Sequence, residues 1–216
     1  MGARASRPVI LVHGLWVSGA VMWPLAAQLV RAGYAPRVFD YAGRRPLEEN
    51  IERLARYASE RCGAQGCSFV GHSLGAVLVL EALNRRPDIG VTAAVLLAPP
   101  LRGCLAARRF GATRLGQRML GASAALWAEG RTARWRRDAP LGVIAGTVPF
   151  GLGRLFGPLP GANDGVVLVD ETRVEGATEH LLAPMSHSLM VVARLTARLV
   201  GRFLAHGRFG DAAGRP

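Results

Sequence analysis

Apolar and polar positions along the chain alternate between two patterns. Short, mainly apolar runs, of the kind needed by a strand covered on both faces, recur at Pro8–His13 (PVILVH), Cys67–Gly71 (CSFVG), Val91–Ala98 and Leu141–Gly146 (LGVIAG), and Pro36–Tyr41 (PRVFDY) is read as the second strand. A shorter strand is expected at Glu179–Ala183. Helical spacing fills the intervals. Residues 18–32 set Val21, Leu25, Leu29 and Val30 on one stripe, and Gly33 closes that helix. Pro46 opens a polar helix to about Arg61, with Ile51, Leu54, Ala55 and Ala58 inward. A small-residue helix follows from Gly75 to Asn84, and an amphipathic one closes the pattern at Ser188–Ala205. This alternation predicts a single α/β domain over residues 1–206. Its sheet is mainly parallel, of about six strands, with helices on both faces and a minimal cap.

Two segments break the rhythm. Residues 101–138 are Arg-rich and helical in pattern, with Leu115, Met119, Leu120, Leu126 and Trp127 as their apolar part. They read as a cap or insert. Residues 147–163 form a long Gly/Pro loop that carries Phe150, Leu152, Leu155 and Phe156. Loops of that length inside a compact domain are usually functional, so both segments are expected to flank a site. Residues 207–216 read as a frayed, flexible tail.

Composition adds three constraints. The 216 residues suffice for one core, and 19% charged residues is too few for a disordered chain. The net charge is +12, yet all 27 basic residues are Arg, a bias that points to coding composition before nucleic-acid binding. No nucleic-acid partner is expected. The one place for a basic face, and for contact with an anionic membrane surface, is 102–137, where nine Arg meet only Glu129, with Asp138 just beyond. The three cysteines, Cys62, Cys67 and Cys104, do not make a disulfide framework. Cys62 could pair with Cys67 in an oxidising compartment, but free thiols in a reducing cytoplasm are the favoured expectation. No apolar stretch precedes the first strand and no run of 18 apolar residues exists, so neither a secretory signal nor a membrane span is expected. Met1-Gly2 with Ser6 matches a myristoylation pattern formally, which is read as accidental.

The chemistry-bearing residues cluster at the ends of the strands. Gly71-His72-Ser73-Leu74-Gly75 fits G-x-S-x-G between an apolar strand and a helix, the setting of a nucleophile elbow. Ser73 is the candidate nucleophile; an ordinary capping Ser is the bland alternative. Backbone N–H groups must receive the oxyanion of an acyl-transfer reaction. Leu74 supplies one, and Leu15, in the His13-Gly14-Leu15-Trp16 turn after the first strand, the other, with Trp16 as runner-up. His13 itself reads as structural. His187, in the loop Pro184–Ser188 past the last strand, is preferred as base over His180, which lies within the strand pattern. Asp164, in Asn163-Asp164-Gly165, is the candidate acid, with Asp170, Glu171 and Glu175 as rivals and a plain Asx turn as the alternative reading.

With these residues placed, the chain resembles the α/β-hydrolase superfamily over roughly residues 8–205, in the order Ser, Asp, His. It looks most like small bacterial lipase- and esterase-like hydrolases of the lipase class 2 kind. VILVHGLW at 9–16, GHSLG at 71–75, PGANDG at 160–165 followed by VVLVDET, and MSHSL at 185–189 carry the likeness. The resemblance implies a triad of Ser73, Asp164 and His187 and an oxyanion hole of Leu15 and Leu74, with no cofactor and no metal. It implies hydrolysis of a lipophilic acyl ester, with segments 115–127 and 150–156 forming the acyl pocket. Thioester hydrolysis, a membrane-surface enzyme acting on anionic phospholipid or a lipid-linked substrate, and a non-catalytic binding module stay open as alternatives. The natural substrate and the oligomeric state are not legible.

Overall fold

The computed structural model describes residues 7–127 and 132–210. Its six strands are β1 (Arg7–Val12), β2 (Tyr34–Phe39), β3 (Cys67–His72), β4 (Val91–Leu97), β5 (Leu141–Gly146) and β6 (Glu179–Ala183). They make one sheet in the order β2-β1-β3-β4-β5-β6, with every neighbouring pair parallel. The helices are α1 (Trp23–Arg31), α2 (Leu47–Arg61), α3 (Leu74–Arg85), α4 (Leu105–Gly111), α5 (Arg114–Leu120) and α6 (Arg194–His206). The molecule is thus a single α/β domain with an all-parallel sheet.

The unbroken apolar runs have a physical cause here. In β1, Val9 and Leu11 point into a cluster with Leu25 and Leu29 of α1 and Val200 and Phe203 of α6. Ile10 and Val12 point the other way, into a cluster with Ile51 and Leu54 of α2 and Leu78 of α3. All four β1 residues are fully buried. A strand covered on both faces has no polar side to show, which is why the period-2 signal is absent.

Several boundaries differ from expectation. The stretch 18–32 is a 3₁₀ turn at Gly19–Met22 followed by α1, and Val30 is exposed because Met22, Leu25 and Leu29 already fill the inward stripe. β2 starts at Tyr34, two residues early, since Arg7 pairs with Tyr34 across the ladder. The closing helix is preceded by a separate 3₁₀ turn, Leu189–Val191. The 207–216 stretch is not frayed at its beginning. Phe209 is 1% exposed, packs on Phe203 with ring centroids 4.7 Å apart, and its N–H donates to Glu179. Residues 211–216 and the Met1–Ser6 pattern lie outside the described residues.

Cys62 and Cys67 are joined in a disulfide, against the expectation of free thiols. α2 ends at Arg61 and β3 begins at Cys67, so the turn between them brings the two Cα atoms to 5.2 Å, within bridging range. Cys104 is a buried free thiol. No described helix is long and apolar enough to cross a membrane.

Candidate active site

The chain leaves β1 for β2 on one side, then returns to place β3 on the other. That reversal opens a crevice beyond the C-terminal ends of β1 and β3, where open parallel sheets bind ligands. Ser73 stands in it, between the last residue of β3 and the first of α3. Its backbone has φ 54° and ψ −122°, a left-handed conformation that costs a non-glycine residue of order 1–3 kcal/mol. The turn is closed by Ser73 N–H donating to Leu97 O at 2.9 Å. Two glycines permit it. A Cβ on Gly71 would lie 2.6 Å from Ala76 Cα, and one on Gly75 would collide with the carbonyl oxygens of Val12 and His13. α3 therefore starts directly against the end of β1, with Leu74 as its first residue. The N–H groups of a first helical turn have no partner inside the helix.

Ser73 Oγ lies 3.0 Å from His187 Nε2, and His187 Nδ1 lies 2.7 Å from Asp164 Oδ2. The second distance assigns the Nδ1 proton, donated to the carboxylate, and leaves Nε2 to accept from the serine hydroxyl. Asp164 is 1% exposed. Its other oxygen accepts from Val166 N–H at 2.9 Å and Val167 N–H at 2.7 Å, so the carboxylate is buried but solvated by backbone. His187 N–H donates to Asp164 O at 2.9 Å, strapping the two loops together behind the side chains. The Asn163-Asp164-Gly165 turn does form, with Asn163 Oδ1 accepting from Gly165 N–H at 3.0 Å. The turn and the reach to the imidazole coexist, because Asn163 caps the turn and Asp164 is released to point inward.

The loop after β1 wraps the same crevice. A Cβ on Gly14 would sit 3.2 Å from Ser73 Cβ, so this backbone runs against the nucleophile. Leu15 follows, and Trp16 takes φ 61°. His13 is fully buried, as a structural residue should be: Nδ1 meets Gly14 O at 2.8 Å, Nε2 meets Asp40 Oδ1 at 2.8 Å, and the ring stacks on Tyr41. Burial pushes the Tyr41 phenol up, and its hydroxyl donates to His13 O at 3.0 Å.

A family model described as the alpha/beta hydrolase family matches residues 9–211. The chain belongs to that family. No curated protein sequence matches it. Among solved structures, this hydrolase is similar to the mature lipase BlEst2 of Bacillus licheniformis, at 18% identity and TM-score 0.67, over 94% of this chain and 93% of that one. It is similar also to the metagenomic carboxyl esterase MGS0156, at 19% identity and TM-score 0.69, over 93% and 76%. The phospholipase PlaB of Legionella pneumophila matches at 15% identity and TM-score 0.67, over 94% of this chain and 57% of that one. At these identities the likeness establishes the fold alone.

The hydrolase has a cavity of about 330 Å³ opening on Ser73 and His187. Its walls are apolar: Leu15, Phe110, Leu120, Trp127, Leu152 and Phe156 among others. The two segments that broke the sequence rhythm thus both supply its lining. The expectation for the pocket needs correcting in detail, because Leu115, Met119, Phe150 and Leu155 face outward. Phe110 was not singled out from sequence, although it holds the wall together. It packs edge-on against Trp16 at 5.7 Å and against Phe156 at 4.5 Å. Nothing in a seven-residue helix (LAARRFG) marks one Phe as a wall residue.

His72 is a second residue the sequence reading passed over. It is buried beside His187, ring centroids 4.8 Å apart, and its Nε2–H donates to His187 O at 3.1 Å. Burial, reinforced by the neighbouring His187, pushes its imidazole down to about 3, so it stays neutral. The rivals for base and acid are engaged elsewhere. His180 sits in β6 with Nε2 at 2.8 Å from Thr172 Oγ1, and burial pushes it down. Asp170 pairs with Arg173 at 3.1 Å, and Glu175 with Arg134 at 3.7 Å. Glu171 receives the N–H groups of Leu105 (2.6 Å) and Leu168 (2.8 Å), and burial raises its carboxyl. The expected basic face at 102–137 also divides. Arg137 turns inward and donates to the carbonyls of Leu83, Arg86, Pro87 and Ile89, whereas Arg114 and Arg118 stay exposed.

Proposed function

We propose that this chain is a serine hydrolase that cleaves the carboxylic ester of a lipophilic acyl substrate through an acyl-enzyme on Ser73. The observation that carries the reading is the unbroken hydrogen-bond chain from Ser73 through His187 to Asp164 at the mouth of an apolar cavity. In this reading Ser73 Oγ attacks the ester carbonyl as its proton passes to His187 Nε2. Asp164 holds the tautomer and stabilises the resulting imidazolium. The N–H groups of Leu15 and Leu74 receive the oxyanion. The imidazolium then gives its proton to the departing alkoxide, which leaves as the alcohol. A water, deprotonated by His187, attacks the Ser73 ester, and collapse of the second tetrahedral intermediate frees the acid and restores the serine. The apolar wall favours a hydrocarbon acyl chain, since each CH₂ it buries is worth about 0.8 kcal/mol.

A fluorophosphonate probe and a series of p-nitrophenyl esters test this. The wild-type chain should label stoichiometrically and turn over, with medium acyl chains preferred. Ser73→Ala should lose both. Asp164→Asn should still fold but lose about 10³–10⁴ in kcat, because the tautomer is no longer imposed. Equal labelling of the wild type and Ser73→Ala would remove Ser73 from the reaction.

A further inference from the structure

The segments that line the cavity also carry large apolar side chains turned to solvent. Phe150 is 74% exposed, Leu152 66% and Leu155 76%, all on the loop after β5. Leu115 on α5 and Leu189, just past His187, are exposed too. They are not scattered. Trp16 donates its indole N–H to Met119 O at 2.9 Å, which joins the β1 loop to α5. Through Phe110 the same Trp16 connects to Phe156 and so to the Phe150–Leu155 loop. Monomeric proteins rarely leave a contiguous apolar rim of this kind facing water.

The charged side chains described on these two segments are arginines. Arg114 and Arg118 are exposed on α5, Arg154 on the loop, and Arg44 reaches α5 by donating to Arg118 O at 2.5 Å. Residues 101–127 and 147–163, which build the rim, contain no Asp or Glu. An apolar patch ringed by arginine suits a surface that is anionic at head-group level and hydrocarbon below it. A protein partner able to match it would need an apolar patch ringed by carboxylates; a second copy would bring arginine against arginine.

We propose that this rim is a membrane-docking face: the chain lies on an anionic bilayer with Phe150, Leu152 and Leu155 in the acyl region, Arg44, Arg114, Arg118 and Arg154 on lipid phosphates, and the mouth opening into the lipid. It rests on the proposed function only in that the docked face carries the Ser73 site. Binding itself needs no turnover.

The test is co-sedimentation with sonicated vesicles, either phosphatidylcholine alone or with 30% phosphatidylglycerol, at about 0.05 and 0.5 M salt. The wild type and Ser73→Ala should bind the anionic vesicles equally and release them at high salt. Each of Arg114→Gln and Arg118→Gln should weaken binding about fivefold. Phe150→Ser with Leu155→Ser should weaken it about tenfold or more while leaving hydrolysis of a soluble acetate ester unchanged. Arg56→Gln with Arg61→Gln, on α2, should change binding far less. Binding that ignores lipid charge, an equal loss in the α2 variants, or self-association without vesicle binding would each overturn the proposal. If Ser73→Ala keeps esterase activity and vesicle binding behaves as described, the function reading fails and the docking face stands.

Discussion

Ser73 holds a backbone conformation that a serine adopts only when its neighbours force it. The close packing of β3, α3 and the end of β1 imposes it, and the glycines on either side permit that approach to backbone contact. Gly75→Ala should therefore be among the most damaging single changes in the chain. The nearest atoms to the added methyl are all backbone, of Val12 and His13, and backbone cannot repack as a side chain can. We expect loss of more than about 3 kcal/mol or failure to fold, read by urea denaturation. His72 gives a different prediction at the same scale. Its folded-state imidazole is held down to about 3 by burial, and among the groups near it His187 and His13 lower it while Asp164 raises it. The unfolded imidazole titrates near 6.5, so unfolding takes up a proton below that pH. His72 thus contributes stability that is fully present above about 6.5 and is lost as pH falls toward 3, at no more than about 1.4 kcal/mol per pH unit. His72→Gln should flatten the fall in stability between pH 6 and 4, measured by denaturant midpoints.

Among the elements, the strands were the legible part, because burial on both faces leaves an apolar run that needs no partner to interpret. The Ser73 and Leu74 positions were legible for a related reason: the elbow is local, and its glycines are in the sequence. Asp164 and His187 could be placed only by chain order, since 2.7 Å between residues 164 and 187 is a property of two loops meeting and not of either loop. Segment 101–127 resisted reading. Its two seven-residue helices are too short to show a periodicity, and their apolar residues divide between cavity wall and outer surface. Phe110 belongs to the wall. Phe110→Ala should widen the cavity and raise KM for an octanoate ester by roughly tenfold, with the acetate ester changed far less. A comparison of kcat/KM along an acyl-length series reads this directly.

Across the whole molecule, the sheet separates chemistry from reinforcement. Ser73 follows the last residue of β3, and the Cys62–Cys67 bridge joins its first residue to the end of α2. A six-residue strand sets them about 20 Å apart. Closing so short a loop is worth about 2 kcal/mol by chain entropy. Cys62→Ser with Cys67→Ser, or added reductant, should lower stability by that amount and leave kcat unchanged in the molecules that stay folded. The thiol reading missed the bridge because a reducing compartment was assumed, while what decides pairing geometry is how tightly the chain turns between Arg61 and Cys67.

The stretches after β5 and β6 are laced to one another at several levels. Thr147 N–H reaches Ala183 O at 3.0 Å, Val148 N–H reaches Met185 O at 3.2 Å, and His187 N–H reaches Asp164 O. Neither stretch can be exchanged for a homologous one without tearing the other. For anyone recombining segments between relatives to change selectivity, residues 147–188 are therefore one indivisible cassette. Crossovers belong at its ends, and chimaeras cut between 164 and 187 should come out soluble at best and inert.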